Sequence, residues 1–196
     1  MPTSCDGLLT DDILFDCENA MVGGIEVNVL LFNHTDIDKV ETTFSNTQKT
    51  KITDFVLKSG KTGYLFQGVK QVNALACELV KKEIGPDKWK HTFSGVILNL
   101  STENKERLME MSSGGLYAAI VELKWKGADN EEAFQLAGFE SGLELMTSAF
   151  TTAENDGTVS IELSSKEGYE ESKPILTVLE TDYSTTATAF SNKFAS

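Results

Sequence analysis

The stretch Trp89-Lys90-His91-Thr92-Phe93-Ser94-Gly95-Val96-Ile97-Leu98-Asn99-Leu100 decides the fold. It alternates as a strand does, with Trp89, His91 and Phe93 on one face and then Val96, Leu98 and Leu100 on the other. Gly95 stands where the phase changes, which predicts a bulge there. Ser101 and Thr102 follow as N-cap candidates, Glu103 falls in a first helical turn, and Glu106, Arg107, Leu108, Met109 and Met111 continue a short helix with one apolar side. Gly114 and Gly115 supply the positive φ that ends it. Residues 116–125 are extended again, with Val121, Leu123 and Trp125 on one face and Glu122 and Lys124 on the other. A helix this short is unstable alone, so its Leu108 and Met111 side must rest on a sheet supplied by the rest of the chain.

The flanking segments read mostly as strands. Residues 24–32 alternate Ile25, Val27, Val29 and Leu31 against Glu26, Asn28 and Leu30. Residues 33–51 are polar, with Ile37, Val40 and Phe44 as isolated apolar points, and predict an extended loop or projecting hairpin. Residues 52–57 and 62–67 read as short strands around a Lys58-Ser59-Gly60-Lys61 hairpin turn. Residues 69–83 fit helix or strand; Ile84-Gly85-Pro86-Asp87 turns them straight into Trp89, which favours a hairpin. Phe134 and Leu136 alternate one way and Phe139, Leu143 and Leu145 the other, with a bulge expected at Gly138. Val159, Ile161 and Leu163 form a strand after the Asn155-Asp156-Gly157 turn, and residues 175–179 form the last core strand. The expected class is mainly β: an antiparallel sandwich or barrel of eight or so strands with one short α-helix packed against it, plus an extended loop and a C-terminal arm. The expected organisation is an N-terminal arm over 1–19, a β-sandwich domain over 20–180 and a C-terminal arm over 181–196, where Tyr183, Phe190 and Phe194 punctuate Thr, Ser and Ala.

Composition excludes several functions. The 196 residues hold 17 Lys and Arg against 30 Asp and Glu, a formal charge of −13, which argues against binding nucleic acid through its phosphates. Cys5, Cys17 and Cys77 show no metal-ligand spacing with each other or with His34 and His91, and reduced thiols in a cytosolic compartment account for them. The acids among residues 1–19, including Asp6, Asp11, Asp12, Asp16 and Glu18, lack the order of a calcium loop and read as a solvated arm. The start Met1-Pro2-Thr3-Ser4-Cys5 lacks a basic region followed by an apolar run, so no signal peptide is expected, and no apolar run is long enough to span a membrane. Catalytic patterns are absent: Ser113-Gly114-Gly115 is no nucleophile elbow, Gly60-Lys61-Thr62-Gly63 lacks the phosphate-loop context, and His34 and His91 stand alone as strand residues. The expectation is no enzyme, no cofactor and no metal.

The element order together with particular runs resembles the tail tube proteins of tailed bacteriophages. The runs are Leu98-Asn99-Leu100-Ser101-Thr102-Glu103-Asn104 entering the helix and Ala118-Ala119-Ile120-Val121-Glu122-Leu123 leaving it, then Gly138-Phe139-Glu140-Ser141-Gly142-Leu143 and Asp156-Gly157-Thr158-Val159-Ser160-Ile161-Glu162-Leu163. The resemblance implies a β-sandwich protomer that joins a six-fold ring, with rings stacked into a tube through which DNA passes without specific binding. It implies self-association and contact with other virion tail or neck proteins, no membrane partner, and residence in the virion tail after assembly in the host cytoplasm. A head-to-tail connector, a baseplate or other virion ring component, and a soluble ligand-binding β-barrel are the alternatives. Under the tube reading, Val40, Phe44, Phe190 and Phe194 are candidates for contacts between rings, because each is an apolar side chain on a polar loop or arm. Glu122, Glu140, Glu144 and Glu162, opposite apolar strand positions, are candidates for the lumen wall.

Overall fold

Strand β1 (Ile25–Asn33) is buried on both faces over residues 29–32, where its side chains are apolar on either side. Leu30 and Phe32 enter one hydrophobic cluster, while Val29 and Leu31 enter a second on the opposite side. The computed structural model describes residues 12–14, 16, 19–68, 72–152 and 157–195. These form β1, β2 (Thr43–Phe44), β3 (Lys51–Asp54), β4 (Tyr64–Gln67), β5 (Ala74–Val80), β6 (Lys88–Ile97), α1 (Thr102–Met111), β7 (Leu116–Leu123), β8 (Phe134–Ala137), β9 (Leu143–Phe150), β10 (Val159–Ser164), β11 (Leu176–Val178) and α2 (Tyr183–Ser191). The fold is mainly β, as the alternation predicts.

The strands form one eleven-stranded sheet folded into two layers. The first layer runs β4-β1-β7-β8-β11-β3-β2, and the second runs β9-β10-β6-β5. They meet where Leu116 and Tyr117 of β7 pair with Glu144 and Leu143 of β9. Every pairing is antiparallel except β11 with β3. The second cluster fills the space between the layers with Val29, Ala119 and Val121 from one and Phe93, Leu143 and Leu163 from the other. The first cluster lies on the far face of the first layer, where Ile37, Phe55, Leu57, Phe190 of α2 and Phe194 pack with Ile52, Ile120, Phe134 and Leu136.

Helix α1 begins as expected: Ser101 Oγ accepts from Asn104 N–H at 3.2 Å, and Gly114 takes φ +86° beyond the helix end. The hairpin expected around Gly85 also forms, with Leu79 opposite Trp89.

Several expectations are corrected. Gly95 is no bulge; it pairs in register with Ile161, and a Cβ there would lie 2.8 Å from the Phe66 ring, so the glycine makes room for an aromatic edge. The phase change stops mattering because Ile97 closes the strand and Leu98 lies outside it. Gly60 does turn the chain at φ +74°, but its flanking strands do not form a hairpin, since β3 pairs with β2 and β11 and β4 pairs with β1. Gly138 sits at φ +76° in the turn between β8 and β9. The polar segment 33–51 is held down by the buried Ile37, a 3-10 turn at His34–Asp36 and β2.

The largest correction is at the C-terminus. Residues 183–191 are helix α2, capped by Asp182 Oδ1, which accepts from Thr185 N–H at 2.7 Å. Phe190 and Phe194, expected on a free arm, are 9 % and 7 % exposed. Phe194 packs edge-on against Phe32 and Phe55 at ring distances of 6.0 and 5.2 Å, and Phe134 receives Phe190 and Tyr183. Lys193 and Phe194 take positive φ of 58° and 48° to reverse the chain, a strain that the buried ring offsets. Of the N-terminal expectations, Cys5, Cys17, Asp6, Asp11 and Glu18 lie outside the described residues, as do Val69 and the Asn155-Asp156 part of the predicted turn.

Candidate functional site

Two places concentrate unusual side chains: a polar clasp at the junction of the layers and an apolar groove beside α1. The clasp grips the turn from Gly138 to Gly142. His91, fully buried on β6, accepts from Gly138 N–H at Nδ1 (3.3 Å) and donates from Nε2 to the Lys173 carbonyl (3.0 Å). Both ring nitrogens are therefore used in the neutral form, and burial lowers its pKa to about 4. His34 Nε2 donates to the Phe139 carbonyl at 3.1 Å, and burial followed by the nearby Lys39 charge lowers its pKa too. Lys39 Nζ donates to the Glu140 carbonyl at 2.7 Å.

The buried Glu171 completes the clasp by accepting from the backbone N–H groups of Glu140 (2.7 Å) and Ser141 (2.9 Å). Burial pushes its carboxyl above the usual range against the pull of those donors. Glu140 itself accepts from Ser172 N–H at 2.7 Å and from its hydroxyl at 2.5 Å. Burial alone would raise the Glu140 pKa, but these donors, with Lys173 and Lys88 nearby, hold it below the ordinary value. All these groups are engaged with backbone, so the arrangement fastens one turn to three segments; it offers neither an unpaired base nor a nucleophile.

The groove, of about 880 Å³, opens at the end of the sandwich where α1 crosses between the layers. Leu31, Phe66, Ile97, Leu108, Met111 and Tyr117 line it, and Tyr64 and Leu65 of β4 form one lip. Leu108 and Met111 thus do face the sheet, yet no residue of α1 is fully buried. Polar groups at the rim satisfy one another: Asn104 Nδ2 donates to the Asn99 carbonyl at 2.6 Å, and Arg107 Nη1 bonds both Glu110 oxygens at 3.0 Å.

The expected site residues divide. Glu144 and Glu162 share the outer face of the second layer, since Glu144 pairs with Ser164 and Glu162 lies two residues before it. Glu122 lies at the other cluster, bonded to Lys126 Nζ (2.5 Å) and Tyr183 OH (2.8 Å), and Glu140 belongs to the clasp. The four do not form one acidic wall. Val40 stands 89 % exposed at a loop tip, its N–H bonded to Asp38 Oδ1 at 3.1 Å. Phe44 is half-buried against Phe139 at 5.5 Å, with Lys173 Nζ 4.1 Å above its ring, and Phe190 and Phe194 are core. Cys77 is half-buried on β5, where burial raises its thiol pKa. Sequence reasoning missed the β4 lip; the signal was present in Tyr64-Leu65-Phe66, three successive large apolar residues in a strand too short to be buried on both faces.

Among the described residues no group of three or more His, Cys, Asp or Glu could hold a metal ion, and no helix is long and apolar enough to cross a membrane. Compared with protein-family models, curated proteins and solved structures, the chain matches none of them.

Proposed function

We propose that this chain is the subunit of a bacteriophage tail tube, a structural protein that closes into six-fold rings whose stacking builds a channel for DNA. The observation that carries this reading is the state of the sheet edges. Among the described residues β4 pairs with β1 alone and β5 with β6 alone. The β4 edge reads Tyr64-Leu65-Phe66-Gln67, with no charge and no proline, and leaves Tyr64 and Leu65 exposed; β5 leaves Leu79 exposed. Edges of this kind template pairing with another chain, and a monomer normally guards them with lysine, proline or a bulge. A head-to-tail ring closes them instead, one subunit's edge against a different edge of the next.

Charge supports the same reading. A chain of net charge −13 suits a wall past which DNA must slide without sticking, although Lys90 opposite Glu78 and Lys166 at 3.6 Å from Glu144 offset the acids on the outer face of the second layer. A connector or baseplate ring would share these edges and this charge and would differ in not stacking. A ligand-binding barrel is less well supported, because the space between the layers is filled by Val29, Leu31, Phe93, Leu143 and Leu163. Negative-stain microscopy and mass photometry of the purified chain test the proposal. Long tubes are expected; discrete rings would favour the connector, and monomers at all micromolar concentrations would overturn self-assembly altogether.

A further inference from the structure

The two hydrogen bonds of the buried His91 ring admit one protonation state only. Gly138 N–H can only donate, so Nδ1, 3.3 Å away, must accept from it; the Lys173 carbonyl can only accept, so Nε2, at 3.0 Å, must carry the proton. A second proton would enter at Nδ1 and point at the amide hydrogen of Gly138. Ring and turn cannot then stay in contact.

The groups that face the ring from each side do not relieve this conflict. Cys77 of β5, directly opposite in the strand pair, is a thiol that burial keeps protonated and uncharged. Ser165 exchanges hydrogen bonds with the His91 backbone and brings no charge. In the segment after β10, Glu171 commits its two oxygens to the N–H groups of Glu140 and Ser141. Glu140, on the turn itself, favours a proton on His91, but its oxygens accept from Ser172, and Lys173 and Lys88 stand near it. On the other side of the turn, His34 and Lys39 hold the Phe139 and Glu140 carbonyls. The turn has hinges: Gly138 and Gly142, at φ +76° and +83°, bracket it. The joint beside it is narrow, because β7 and β9 pair only at Leu116 with Glu144 and at Tyr117 with Leu143.

We propose that the clasp is an acid-operated latch: a proton on His91 drives Gly138 away from β6 and frees the Gly138–Gly142 turn, loosening the joint between the layers while the rest of the sandwich stays folded. Glu171 acts in the same direction on the turn, since its own protonation leaves fewer acceptor sites for the Glu140 and Ser141 N–H groups. The latch works within one chain and does not depend on the self-assembly proposed above.

Native-state hydrogen exchange of the full chain, read by mass spectrometry and corrected for the intrinsic effect of pH, tests it. Peptides over 138–142 should exchange through an opening that low urea does not promote and that is far more populated than the one exposing β1 and β7, whose exchange should follow urea as global unfolding does. Between pH 7.5 and 4.5 the opening of the turn should rise about fiftyfold, the factor set by a ring that titrates near 6.5 when released and near 4 when clasped. His91→Gln, whose amide accepts and donates without titrating, should remove that rise, and Glu171→Gln should leave most of it. Turn and core peptides that exchange through one urea-sensitive opening at both pH values would overturn the latch. So would a His91→Gln chain whose turn keeps the full rise. Should His91→Gln fail to fold, the urea dependence of the wild-type turn decides the matter.

Discussion

Acidification should unfold this protein through His91, and the size of the effect follows from how that ring is held. The unfolded imidazole takes up a proton near 6.5, whereas the folded ring, buried and using Nδ1 as an acceptor for Gly138 N–H, does so only near 4. Its contribution is complete above pH 6.5 and is lost as pH falls to about 4, because over that window the unfolded chain binds the proton and the folded chain does not. The gap corresponds to about 3 kcal/mol, with a slope of up to about 1.4 kcal/mol per pH unit. His34, also lowered, adds a loss of the same sign. Glu171 acts oppositely: its pKa is raised, so the folded state takes up its proton first as pH falls and regains some stability. Of the charged groups around the clasp, Glu140 favours protonation of His91, and Lys39 opposes that of His34.

Urea unfolding at fixed protein concentration, from pH 7.5 to 4.5, reads the sum, and the histidine ring proton resonances read His91 directly. His91→Phe should cost about 2 kcal/mol or more at pH 7.5, by leaving Gly138 N–H and the Lys173 carbonyl without partners, and should flatten the pH dependence. A folded-state titration of His91 near 6.5, or a wild-type stability unchanged between pH 7 and 4.5, would refute the reasoning.

Two further substitutions test the packing. Phe194→Ala should lower stability by about 3 to 5 kcal/mol in thermal or urea unfolding, because the ring fills the space between Phe32 and Phe55; a surface-like cost near zero would mean that α2 contributes nothing to the core. Gly95→Ala should cost about 1 to 3 kcal/mol by driving a methyl into the Phe66 ring, measured by the same unfolding curves, and a neutral result would show that Phe66 shifts freely.

The groove and the β4 lip were only partly visible in the chain. Leu108 and Met111 announced an apolar helix side by their spacing, and the N-cap at Ser101 was legible because capping is decided within four residues. That the same side chains end half-covered, lining an open groove, depends on Tyr64, Leu65 and Phe66, some forty residues away. The clasp was less legible still. His34, His91 and Glu171 stand far apart in sequence and meet at one turn, where burial turns two potential bases into backbone pins.

Local patterning by itself determined most of the strands, the hairpin of β5 with β6, helix α1 and the mainly β class, because alternation and capping act between near neighbours. Tertiary structure alone decided whether Gly95 bulges, which strand lies beside β4, and what becomes of the C-terminus. Thr185, Thr186 and Thr188 lower the helix propensity of that segment, so its composition suggests a loose tail. Yet Tyr183, Ala187 and Phe190 recur at helical spacing, and burial of that stripe on Phe134, with Phe194 closing over Phe32, outweighs the propensity. The free energy that makes α2 a helix belongs to the sheet it covers, which no reading confined to residues 181–196 contains.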